Sequence, residues 1–312
     1  MNRDDNNLFP SDPAPSLDSS EQADLARQAL PADSPHPDID HPVAPSKDFE
    51  NFQSFRAAVP EDLRVPWGWT DIVLLAVLAI AGLILISLFV GLALAMSGAD
   101  LHRIQKSPND INLLNVFIQV LVDLGLLAYL AAQMRLRFRS PFWRTIGWRP
   151  LETSRIPAGA LYSGLALSGF FLSIIVSLGS ALFPPKKNLP IETLFHDRYA
   201  TVLFMAVAVL IAPLVEETIF RGYVYPVIGR AFGKTWGIIA TGTLFGLLHS
   251  AQLWGGWSQI ALLIFVGIVL TFARAVSRTV VASFVIHTSY NSLQVIGLLV
   301  ATHGLRHLPG AS

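Results

Sequence analysis

The sequence predicts an all-α, polytopic transmembrane helical bundle of about seven to eight spans, preceded by a disordered N-terminal tail. Three observations carry this expectation. Only 14% of the 312 residues are charged, against 52% hydrophobic, whereas soluble domains carry roughly 25% charge. Several apolar runs approach or exceed the roughly 20 residues that cross a bilayer. The charge is also segregated: residues 1–50 hold eleven of the 22 acidic residues but only Arg3, Arg27 and Lys47, a balance of −8, which leaves +8 for the rest. A soluble all-helical domain would need far more charge to cover its surface. Cysteine is absent, which excludes a disulfide framework, a thiolate nucleophile and a Cys–zinc site.

The elements follow in order. Residues 1–60 form an acidic, Pro-rich tail, with eight of the 20 prolines in its first 50 residues. Its apolar content is too low to offset the ordering entropy, and it lacks the basic start and apolar core of a signal peptide. Residues 61–198 carry the N-terminal transmembrane helices. Trp67 and Trp69 are expected at the membrane interface. Helix one is then expected over 71–96, helix two over 113–134 and helix three over 156–183. A second unit, 199–300, carries the polar motifs. Its helix four begins near Tyr199, with Pro226 as a candidate end. Helix five is expected over 236–249, helix six over 260–275 and helix seven over 280–300. A short tail, 301–312, closes the chain. The loop after helix two holds Arg135, Arg137, Arg139, Arg144, Arg149 and Arg155 against one acid, Glu152. The positive-inside rule makes that loop cytoplasmic. Alternation then puts the N-terminus and the Arg230–Lys234 and Arg274–Arg278 turns inside, and the C-terminus outside. Lys186-Lys187 and Arg198 fall on the outer side and run against the rule.

Within the apolar stretch 199–219 stands the pair Glu216-Glu217, followed by Arg221. Ionisable residues at membrane depth are costly and mark functional sites. Counted from the basic turns at about 1.5 Å per helical residue, Glu216 lies up to roughly 21 Å and His249 roughly 20 Å from the inner edge, with His287 and Asn291 at roughly 13 and 20 Å. Three helices thus bring polar groups to similar levels. Helix five is short, about 21 Å against a core of roughly 30 Å. Its end at His249 therefore suits a wet recess, with Trp254 and Trp257 anchoring the following turn.

Glu217 and Arg221 share a helix face, and Glu216 is turned about 100° from it. Arg221 can neutralise Glu217, leaving Glu216 free to face a cavity as a base. Glu216 with His249 is the candidate pair for polarising a water. Phe245, one turn before His249, is placed to wall the pocket and fix the ring. His287 and Asn291 share a face and offer N–H donors for a developing oxyanion. Structural alternatives stand beside each: Glu217–Arg221 as a helix clamp, and His249, His287 and Asn291 as interhelical hydrogen bonders. Asp123, in helix two, reads either as a helix-packing hydrogen bonder or as a cavity residue, and is kept outside the active set. Ser283 and Tyr290 are given no role.

Glu216-Glu217-x-x-x-Arg221, Phe245-x-x-x-His249 and His287-x-x-x-Asn291 match the order and spacing of the three motifs of the CPBP family. These are the CAAX-type prenyl-protein endopeptidases with their bacteriocin-processing and immunity relatives, and the resemblance covers about residues 199–300. It implies an intramembrane glutamic endopeptidase in which Glu216 and His249 activate water. His287 and Asn291 support the oxyanion, and Glu217, Arg221 and Phe245 shape the site. No cofactor is required on this reading. The less favoured alternative is a divalent metal on Glu216, His249 and His287, a carboxylate-and-two-His set. Expected partners are membrane lipid and a peptide or protein substrate, lipidated chains included, and no nucleic acid. The expected location is a bacterial plasma membrane, with the N-terminus cytoplasmic. A non-proteolytic scaffold or bacteriocin-immunity-type protein of the same fold is the main rival. A proton-coupled transporter is a weaker one, because no repeat symmetry accompanies the buried acids.

Overall fold

A computed structural model describes residues 59–152, 156–185 and 188–308. The acidic tail up to residue 58, Arg155, Lys186-Lys187 and the last four residues lie outside the described residues. The described part is helical, with no strand among the described residues. In chain order the helices are α1 (Trp69–Met96), α2 (Leu101–Lys106), α3 (Pro108–Ala132), α4 (Phe142–Ile146), α5 (Ala158–Leu182), α6 (Arg198–Phe232, with two irregular turns), α7 (Lys234–Leu248), α8 (Trp257–Ser277) and α9 (Val280–Ala301). Among the described residues six of these are long and apolar enough to cross a membrane: α1, α3, α5, α6, α8 and α9. The chain is a multi-pass membrane protein. The seventh membrane-level helix, α7, has 15 residues, about 22 Å, and is the short one that the sequence predicts.

Local sequence sets the ends. Asp100 and Ser107 cap α2 and α3 by accepting from Arg103 N and Asp110 N, and Pro108 supplies the pre-set φ of a first turn. Asp197 caps α6 through Ala200 N at 2.7 Å. Gly233 (φ +84°) makes the left-handed link between α6 and α7. Between α7 and α8, a Cβ on Gly242 would lie 2.4 Å from Ile268 N, and one on Gly246 would lie 2.5 Å from Ile264 Cγ1. This small-xxx-small pair lets the two backbones touch, the packing mode favoured where lipid gives no hydrophobic drive.

Most of the basic residues gather at one end of the bundle, while Arg103, Lys106 and Arg198 lie at the other. At the arginine-rich end Arg137 pairs with Asp71, and Arg274 with Asp62 (3.1 Å). Arg230 donates to the carbonyls of Val65 (2.8 Å) and Trp67 (3.0 Å), and Val280 N donates to Gly147 O. The opposite end is tied by Asn112 Nδ2 to Thr193 O and by Ile191 N to Gln252 O. Trp67 departs from the interfacial expectation. It is buried, stacks on Tyr223 at 4.9 Å and donates its indole N–H to Tyr223 O. Its partner Tyr223 belongs to α6, which a local reading of Trp67 has no means to see. Trp69 is half exposed, as an interface residue is.

The helix α6 does not end at Pro226. It runs from Arg198 to Phe232 through two widened, π-helical turns, Val207–Ile211 and Thr218–Val224. Proline has no N–H and its ring clashes with the carbonyl four residues back. The residue before each proline reaches back five positions instead: Ala212 N to Val207 O before Pro213, and Tyr225 N to Phe220 O before Pro226. Each widened turn thus absorbs its proline without breaking the helix. The one regular turn between them carries Glu216 and Glu217.

Candidate active site

Four segments build the site: the short turn Ala212–Glu217, the second widened turn, the end of α7 and the middle of α9. Thr218, Phe220, Arg221, Gly222, Tyr223 and Val224 are all buried. The widened turn therefore faces protein, the only setting in which irregular backbone is tolerated at membrane depth.

Glu217 and Arg221 form the buried floor. Both side chains are wholly inaccessible, and Arg221 Nη1 lies 2.9 Å from Glu217 Oε1. Arg221 Nη2 donates to Gly267 O at 3.0 Å, and its guanidinium stacks 4.5 Å from the Phe245 ring centroid. His287 Nδ1 also lies 2.9 Å from Glu217 Oε1. A carboxylate paired with arginine only accepts, so His287 carries its proton on Nδ1 toward Glu217. The i, i+4 spacing points only to Arg221 as the partner of Glu217, and nothing local in the sequence announces His287, 70 residues away.

Glu216 stands above that floor, about a quarter exposed. His249 Nε2 is 3.5 Å from its Oε1, and His287 Nε2 is 3.7 Å from its Oε2. His249 caps α7, and its Nδ1 lies 2.8 Å from Phe245 O. A carbonyl only accepts, so that Nδ1 carries the proton. In the neutral tautomers both Nε2 atoms therefore present lone pairs toward a carboxylate. Three acceptors facing one another at these separations are beyond direct hydrogen-bond distance. They can be joined by a species that donates to more than one of them, such as water. Phe245 packs against His249 (4.8 Å), His287 (5.9 Å) and Phe220 (5.2 Å), so one ring braces both imidazoles.

Asn291 lies one turn beyond His287 and is differently engaged. Its Nδ2 donates to Ala208 O at 2.7 Å. That carbonyl is freed by the first widened turn. Its α-helical donor, Ala212 N, is diverted to Val207 O, and the residue after Ala212 is Pro213, which has no N–H. Asn291 thus satisfies a carbonyl that Pro213 leaves without a helical partner, and it keeps one amide hydrogen for another acceptor. The structure brings together Glu216, Glu217, Arg221, Phe245, His249 and His287, and holds Asn291 at their edge. Asp123 Oδ1 accepts from Gln119 at 2.8 Å.

For a cofactor, Glu216, His249 and His287 supply the donor types of a carboxylate-and-two-imidazole set. Among the described residues, however, no group of three His, Cys, Asp or Glu side chains is arranged to hold a metal ion.

Fold and site together define a multi-pass membrane protein with a carboxylate between two imidazoles at mid-depth. In comparison with protein families, the model described as type II CAAX prenyl endopeptidase Rce1-like matches residues 198–293. The matched stretch contains all seven motif residues, from Glu216 to Asn291, and supports the CAAX-type protease family. Neither the curated proteins nor the solved structures gave a match.

Proposed function

We propose that this protein is an intramembrane endopeptidase in which Glu216 and His249 activate a water for peptide-bond hydrolysis. The observation that carries the reading is the Glu216 carboxylate facing two Nε2 lone pairs, with each Nδ1–H committed elsewhere. A water there donates one hydrogen to Glu216 and the other to His249 Nε2. As its oxygen bonds to the scissile carbonyl carbon, Glu216 takes the proton and the carbonyl electron pair moves onto oxygen. Collapse of that intermediate breaks the C–N bond, and the leaving nitrogen takes the proton from Glu216. His287, with Nδ1–H on Glu217, can point an N–H at the oxyanion only as the imidazolium, and Glu217 stands where it balances that charge. The second amide hydrogen of Asn291 is the other candidate donor. Phe245, Glu217 and Arg221 hold these groups in place. The substrate class is a membrane-associated peptide or protein, lipidated chains among them. The arginine-rich end faces the cytoplasm of a bacterial cell, following the positive-inside rule.

The test is cleavage by purified protein in lipid vesicles, scored by mass spectrometry over a panel of prenylated and unmodified peptides. The expected result is cleavage by the wild type and a loss of roughly 10²-fold or more in His249→Ala. Activity is expected to survive a strong chelator, and loss that zinc restores would transfer Glu216, His249 and His287 to metal binding. Wild-type protein inert toward the whole panel would favour the scaffold or immunity reading.

A further inference from the structure

The long helix α3 lies outside the matched segment and carries a row of polar residues that the proposed chemistry does not use. Asn112, Asn115, Gln119 and Asp123 fall within an arc of about 80° at 100° per residue. The buried residues Asn112, Val116, Val122 and Leu130 span a sector that faces the protein interior and extends about 20° beyond that arc on each side. Asn115 and Gln119 nevertheless are exposed, and Asp123 is partly so. A side chain that points inward and remains exposed borders a concavity. Uncharged amides and a carboxylate at membrane depth are retained where they line water rather than lipid.

The row has a direction. Asn112 sits at the arginine-poor end, held to Thr193 O. Counting along the helix from Pro108, Asn115 lies roughly 10 Å deep, Gln119 roughly 17 Å and Asp123 roughly 22 Å. Measured from the other end, Asp123 is roughly 18 Å from Arg135 and Glu216 up to roughly 21 Å from Arg230, the same level. The helix packs against both the first turns of α6 and the Ala212–Glu217 turn, which carries Glu216. Glu216 and His249 are themselves partly exposed. We infer that the Asn115–Gln119–Asp123 face of α3 lines an aqueous path from the arginine-poor end of the bundle to Glu216. It supplies the water that the proposed hydrolysis consumes, and in that sense it rests on that reading. The opposite side of α3 presents Phe117 and Leu124, both half exposed and apolar, as a lipid face does.

The natural chain has no cysteine, so single-cysteine variants of the full protein report accessibility without background. Asn115→Cys, Gln119→Cys, Phe117→Cys and Leu124→Cys would each be reconstituted in lipid vesicles. Each would then be treated with a charged methanethiosulfonate added to one side at a time. The thiolate that reacts forms in water and not in lipid. The expected result is that Asn115→Cys and Gln119→Cys react about tenfold or more faster than Phe117→Cys and Leu124→Cys. They should do so only from the side of the arginine-poor end. Equal slow labelling on both faces, or labelling only from the arginine-rich side, would overturn the path. Two positions are read on each face, so a single misfolded variant does not decide the result. The labelling is independent of cleavage: an inert enzyme with a labelled row would sink the hydrolase reading and leave the path standing.

Discussion

The helices α1 and α6 have the same solvent and solve opposite problems. In α1, 28 residues long, only Asp71 and Leu75 are buried. Val73, Leu85, Leu88 and Phe89 all present most of their area outward, and lipid accepts them. The helix α6 carries two prolines, two widened turns and a buried ion pair. Each irregularity there has a named partner: Asn291 for the carbonyl near Pro213, Gly267 O for Arg221, His287 for Glu217. Uniform apolarity thus makes a membrane element tolerant, and polarity at depth makes it exacting, because nothing in hydrocarbon replaces a lost partner.

Mutations on the two helices should therefore separate by size. The largest effect is expected at Arg221→Met, which leaves Glu217 buried without its cation. A loss of about 3–5 kcal/mol follows for a broken buried pair, read as a collapse of thermal stability in detergent or vesicles. If Arg221→Met unfolds no more readily than a substitution in α1, the contrast fails.

A smaller effect is expected at Asn291→Ala, about 1–3 kcal/mol for an orphaned carbonyl. This change has a specific rescue. Pro213→Ala restores an N–H next to the freed carbonyl, so the double variant should recover part of the stability that the single one loses. Additive losses in the double-variant cycle would show that Asn291 does not answer Pro213. The smallest effect is expected at Phe89→Ala on the lipid face of α1, within about 0.5 kcal/mol.

The same contrast governs what could be read in the sequence. Spans lying in lipid announce themselves by apolar length, and the expected bounds of α1, α5 and α9 fall within about two residues of the observed ones, the spread usual for helix ends. Glu216, Glu217, Arg221, His249, His287 and Asn291 stand out in the sequence because ionisable and amide groups at depth are rare, and counting from the basic turns puts Glu216, His249, His287 and Asn291 at neighbouring levels. What escaped depends on partners distant in sequence. Trp67 looks interfacial until Tyr223 is beside it. Pro226 looks like a helix end until the turn before it widens. Glu217 has an evident partner four residues away, and nothing local announces His287 at 70 residues' distance. The polar row on α3 was visible only as a lone Asp123, since the inward direction of a helix is fixed by its neighbours.

The most direct measurement compares Glu216→Gln with Glu217→Gln in the vesicle cleavage assay, alongside thermal unfolding of each. Adjacent and chemically identical, the two carboxylates are assigned opposite duties, one facing the open site and the other neutralising Arg221 beneath it. Glu216→Gln is predicted to keep the wild-type unfolding temperature and lose cleavage by roughly 10²-fold or more. Glu217→Gln is predicted to unfold well below both. Near-normal cleavage by Glu216→Gln, or equal destabilisation by the two changes, would contradict the assignment.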